Sequence, residues 1–239
     1  MAPLLAALEW VYLAEPDAPR NVGVRLLDLL SRPAGERAEQ LRWIALTLVM
    51  AVSLVVLTLR QASVLRAVAR IALEGLAFAL VLGPVLVALA HVLEPWVGRI
   101  DVSWDPTNAP PTLVEVGLAL GAGAWEELVF RVGVYSLVYL LALRSAGAIG
   151  LGESVARGVA DLSGLAVSSL AFAAAHFAPV TLWLDLPERE FALDSFSWLC
   201  LGGLALGVIF RWRGPGVAAW AHALFNVALW IGIDPDVIW

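Results

Sequence analysis

The chain has 239 residues, 61% of them apolar and 15% charged, with a formal net charge of −6. A water-soluble globular chain carries roughly 45–50% apolar and about 25% charged residues, so the composition excludes an ordinary soluble domain and points to a polytopic membrane protein. Every basic residue is an arginine, none forms a basic stripe for nucleic acid, and the single Cys200 excludes both an internal disulfide and a thiolate metal site.

Residues 1–42 read as a mixed, partly amphipathic N-terminal segment punctuated by proline and glycine. Its start lacks a basic n-region and a small-residue cleavage site, so no cleavable leader is expected. Within it, "VRLLDLLSR" (24–32) has helical apolar spacing and is expected to lie on the membrane surface. A transmembrane bundle then occupies 43–239. At roughly 20 residues a span, its length allows about six to seven crossings. The first is "WIALTLVMAVSLVVLTL" (43–59), and the second is "IALEGLAFALVLGPVLVALAHVL" (71–93). A polar, proline-bearing loop is expected over 94–111. Residues 112–143 are too long for one straight crossing, about 48 Å at 1.5 Å per residue, so a span continuing into an amphipathic or broken helix is expected. Residues 144–158 read as a loop. "LAVSSLAFAAAHFAPVTLWL" (165–184), "FSWLCLGGLALGVIF" (196–210) and "GVAAWAHALFNVALWIG" (216–232) complete the bundle. The fold class expected is therefore all-α, a helical membrane bundle.

Charges inside such spans cost about 2.5–3.5 kcal/mol each on insertion scales, so they usually face the bundle interior and mark function. Glu126 and Glu127 fall at the centre of 112–143. His176 falls near the centre of 165–184, and His222 and Asn226 flank the centre of 216–232. Three spans thus bring carboxylate, imidazole and amide to similar depth around an expected polar cavity. His222 and Asn226 are i and i+4 and share a helix face. Glu127 and Arg131 are also i and i+4, acid first, the favourable order for an ion pair. Glu126 and Glu127, being adjacent, point about 100° apart. The spacing therefore predicts that Glu127 is neutralised by Arg131 as a structural ion pair, leaving Glu126 to face the two histidines. Each residue alone has a plainer reading: a lone histidine or asparagine in a span more often joins helices by a hydrogen bond. The functional reading rests on the set.

The set resembles a known family. "EELVFR" (126–131) resembles the EExxxR motif of the CPBP intramembrane proteases, the group that includes the type II CAAX prenyl proteases and the bacteriocin-processing and abortive-infection proteins. "FAAAH" (172–176) resembles its FxxxH motif and "HALFN" (222–226) its HxxxN motif, in the same order and over about residues 112–232. Val132 departs from the glycine that many members have after the arginine. The resemblance implies an intramembrane endopeptidase in which Glu126 and His176 activate water while His222 and Asn226 stabilise the oxyanion. A metal-free mechanism is favoured. Zinc remains possible, and Glu126, His176 and His222 would then be its ligands, with a fourth position for water. The implied partners are the lipid bilayer, in a bacterial cell membrane, and a peptide or lipidated-protein substrate. Two other functions fit the same residues: a Glu/His proton-coupled transporter, which would call for inverted repeats that the sequence does not display, and a non-catalytic scaffold of the same fold.

Overall fold

The computed structural model describes residues 1–31, 33, 35, 38–59, 63–98 and 111–230. The helices are α1 (Ala2–Ala14), α2 (Val22–Ser31), α3 (Ala38–Leu59), α4 (Val64–Val97), α5 (Leu113–Glu126), a π-helical segment (Glu127–Tyr135), α6 (Ser136–Ala148), α7 (Glu153–Ala174), the short α8 (Val180–Trp183), α9 (Leu193–Arg213) and α10 (Pro215–Trp230). No strand occurs among the described residues. Most of the loop expected over 94–111, and the chain end after Trp230, lie outside the described residues. Residues 94–97 are the last turn of α4.

Four helical runs are long and apolar enough to cross a membrane: Val64–Val97, Leu113–Ala148, Glu153–Ala174 and Leu193–Arg213. Shorter apolar helices lie at Ala2–Ala14, Leu46–Val56 and Pro215–Leu229. The outer face of α4 presents Leu73, Leu80, Val81 and Val92, an apolar surface suited to hydrocarbon and not to water. The chain is an all-helical membrane bundle.

Two departures from the sequence expectation concern the helices that carry the site residues. The run from Leu113 to Ala148 does not break; it continues through the π segment. It starts from a capping box, with Glu115 N–H donating to Thr112 Oγ1 at 3.2 Å and Thr112 N–H donating to the Glu115 carboxylate at 2.6 Å. The second difference concerns α7. It begins at Glu153, inside the expected loop, because Glu153 and Arg157 form an i,i+4 ion pair that carries the helix beyond the apolar stretch. At its other end α7 stops at Ala174, ten residues short of the expected span end. The next residues turn through "HFAP", where Pro179 has no N–H to continue a helix.

Small residues set the helix spacing around the site. A Cβ on Gly123 of α5 would stand 2.4 Å from the backbone nitrogen of Ala223 on α10. A Cβ on Gly203 of α9 would stand 3.2 Å from Ser169 Cα on α7. Such close approaches are how apolar helices pack when no water drives them together. On its other side, α5 receives α1: a Cβ on Gly121 would lie 2.4 Å from Leu8 Cβ, and one on Gly117 2.3 Å from Val11 Cγ2. Leu4, Leu5, Leu8 and Val11 of α1 are accordingly buried in one cluster with Leu118 and Trp125. At one end of the bundle, Arg211 pairs with Asp161 at 2.6 Å and Arg213 with Glu74 at 2.7 Å, tying α9 to α7 and α4.

Candidate active site

The two glutamates are the last residue of α5 and the first of the π segment. Both are buried, as is Arg131 one turn on. Arg131 Nε stands 3.4 Å from Glu127 Oε2, and its Nη2 donates to the Gly203 carbonyl at 2.9 Å. The guanidinium also lies over the Phe172 ring, 4.8 Å from its centroid. An arginine without exposure to solvent is thus held by a carboxylate, a carbonyl and an aromatic face, from three separate elements.

Glu127 has a second partner. His222 Nδ1 lies 3.0 Å from Glu127 Oε1, and His222 Nε2 lies 3.6 Å from Glu126 Oε2. Both carboxylates therefore address one imidazole, which corrects the expected division of labour in which Glu127 served Arg131 alone. The reason is geometric. Two neighbours about 100° apart cannot reach one point, but the two ring nitrogens are separate points on different edges of His222. The Gly123–Ala223 contact brings α10 close enough for the ring to enter between them.

His176 is not at mid-span. It lies two residues past the end of α7, in the turn that Pro179 terminates. Its Nδ1 is 2.8 Å from the Phe172 carbonyl. A carbonyl only accepts, so Nδ1 carries the hydrogen and Nε2 of the neutral ring is an acceptor. No hydrogen bond or ion pair joins His176 to Glu126 among the described residues, contrary to the expectation that Glu126 points at it. The two histidines are linked through Phe172, whose ring centroid is 4.8 Å from that of His176 and 5.7 Å from that of His222. Asn226 is buried one turn beyond His222 on α10. Sequence reasoning quoted Phe172 only as the first letter of a motif. Its place between Arg131 and both imidazoles could have been suspected from its i−4 spacing to His176.

Over residues 108–228 the chain matches the sequence model of the Rce1-like family, described as type II CAAX prenyl endopeptidase Rce1-like. The chain belongs to this protease family. The matched region spans just over half of the chain and runs from ahead of α5 almost to the end of α10. It holds Glu126, Glu127, Arg131, His176, His222 and Asn226, and it leaves α1 to α4 outside. Neither the curated proteins nor the solved structures yield a match. The donor types at the site are ones that zinc accepts. No group of three His, Cys, Asp or Glu side chains among the described residues is placed to hold a metal ion. Glu126 and His222 are adjacent, while His176, whose Nε2 stays an acceptor, is joined to neither by a hydrogen bond or ion pair among the described residues. As placed, Glu126, His176 and His222 do not form a ligand set.

Proposed function

We propose that this Rce1-like family member is a metal-free intramembrane endopeptidase that hydrolyses the tail of a membrane-associated peptide or lipidated protein. The observation that carries the reading is Glu126. It is a buried carboxylate whose Oε1 has no hydrogen-bond partner among the described residues, while its neighbour Glu127 is occupied by Arg131 and His222. A carboxylate held in a low-dielectric site with one oxygen available is suited to general-base work.

In this mechanism Glu126 Oε1 takes a proton from water, and the hydroxide formed attacks the scissile carbonyl carbon. The carbonyl π pair moves onto oxygen. His176 Nε2, left as an acceptor by the Phe172 carbonyl, helps to orient the same water. The oxyanion is met by His222 Nε2 and the Asn226 amide, each of which could lower the barrier by a few kcal/mol. Glu127 accepts the Nδ1 hydrogen of His222, so Nε2 donates when the ring is the imidazolium. The tetrahedral intermediate collapses with C–N cleavage, and the proton held on Glu126 passes to the departing amine. Arg131 takes no part in proton transfer; its ion pair holds Glu127 in place.

The test is cleavage by purified protein of an internally quenched farnesylated CAAX peptide and of its unlipidated twin, with Glu126→Gln as control. Cleavage by the wild type and none by Glu126→Gln supports the reading. Full activity in Glu126→Gln sinks it and favours a non-catalytic scaffold. Preference for the lipidated peptide supports the substrate class, and equal cleavage of both restricts the reading to membrane peptides in general.

A further inference from the structure

The segment joining α1 to α2 lies outside the region matched by the family, yet it reaches the site. A Cβ on Gly23 would stand 2.9 Å from the carbonyl carbon of Trp125 and 3.0 Å from the backbone nitrogen of Glu126. The first turn of α2 is thus in backbone contact with the residue read as the base. Val22 packs in one buried cluster with Phe130, Phe172, Ala175 and Leu184, on the side where His176 follows Ala175. Between α1 and these contacts sits Asn21, 7% exposed. Its Oδ1 accepts from Val24 N–H at 2.9 Å, capping α2. That bond fixes the carboxamide plane and assigns its other end as the donor. Nδ2 is buried and has no hydrogen-bond partner among the described residues.

A buried amide donor without a partner is costly. So is a buried carboxylate oxygen without one, and Glu126 Oε1 is in that condition. The two atoms are complementary, and they belong to elements whose backbones touch. One molecule satisfies both if it accepts from an N–H and donates to a carboxylate, and water does so.

We propose that Asn21 is a further catalytic residue, whose Nδ2–H group holds the water that Glu126 deprotonates. This rests on the protease reading. In the step, the water oxygen accepts from Asn21 Nδ2–H and one of its O–H bonds breaks. The proton goes to Glu126 Oε1, and the electron pair stays on the oxygen that attacks the carbonyl carbon. The N-terminal helices then supply a site residue, and do more than flank a catalytic core.

Full-length protein purified in detergent gives the test, with two readouts. Asn21→Gly removes the donor without adding charge, and glycine is a well-tolerated N-cap. With the farnesylated CAAX peptide, or its twin, as probe, Asn21→Gly is expected to lower kcat roughly 10²-fold, the effect of a misplaced reactant, and to leave KM unchanged. Asn21→Ser keeps a cap oxygen and a hydroxyl donor and is expected to recover part of kcat. The second readout needs no activity. The Tm shifts of Asn21→Gly and Glu126→Gln are expected to be non-additive in the double variant, because both remove the same bridge. Wild-type kcat in Asn21→Gly, or additive Tm shifts, overturns the assignment and leaves Asn21 a helix cap. If Asn21→Gly does not fold, the same cycle with Asn21→Ser decides by the same criterion. A fully active Glu126→Gln sinks the protease reading and with it the catalytic role, whereas the thermal cycle reports separately whether Asn21 and Glu126 are bridged.

Discussion

At the scale of single residues, the proposed mechanism separates charges that must stay from a charge that works. Arg131 and Glu127 are the first kind. Removing the guanidinium by Arg131→Ala would leave the buried Glu127 with His222 alone and take a donor from Gly203, a loss of about 3–5 kcal/mol by analogy with other broken buried pairs. Thermal unfolding in detergent should show it as a large fall in Tm. Glu126 is the second kind. Glu126→Gln is nearly isosteric but cannot accept a proton, so cleavage should fall about 10²–10⁴-fold while the protein stays folded. Chelator should leave the rate unaffected; inhibition by chelator with recovery on zinc would overturn the metal-free reading and keep the protease. All of these residues could be picked out in the sequence, because charges in an apolar run are costly and therefore conspicuous. Their pairing was only half legible. The i,i+4 rule found Glu127–Arg131, but no local rule says that His222, 95 positions away, takes both glutamates at once.

Among elements, the site depends on how closely helices approach. Hydropathy located the apolar cores of α4, α9 and α10 because lipid-facing helices must be apolar along most of their length. It misplaced both ends of α7, for opposite reasons. Polar residues with i,i+4 pairing extend the helix past its apolar core, and an apolar stretch does not remain helical through "HFAP". The depth of His176 was misjudged with it. Gly123 shows what close packing does: its contact with Ala223 sets the distance between the glutamates and His222. Gly123→Val would drive a branched side chain into the Ala223 backbone. Overpacking of this sort costs typically about 1–3 kcal/mol, and the expected signature is a drop in cleavage larger than the drop in Tm, since the Glu126–His222 separation of 3.6 Å cannot be kept.

In the whole molecule, the N-terminal helices are the part that the sequence presented least well. Taken as a span-by-span list, residues 1–42 had no partner, and "VRLLDLLSR" was expected at the membrane surface. In the structure α1 fills the groove made by Gly117 and Gly121 on α5, and α2 follows it onto Trp125 and Glu126. The route is legible only in hindsight, in glycines one turn apart on the face of α5 opposite to Gly123's partner. It has a consequence that can be measured. Gly121→Leu would occupy the pit that holds Leu8, lifting α1 without touching any residue of the glutamate–histidine cluster. If α1 and α2 are only peripheral, the variant should lose some stability and keep its turnover. If they position the wall of the site, kcat should fall while Glu127, Arg131 and His222 remain in place. The latter outcome is expected, because Gly23 lies directly against the Trp125–Glu126 backbone. A compensating Leu8→Ala in the Gly121→Leu background, which empties the space the new side chain needs, should restore kcat together with Tm. Restoration of Tm alone would show that the N-terminal helices stabilise the bundle without shaping its chemistry.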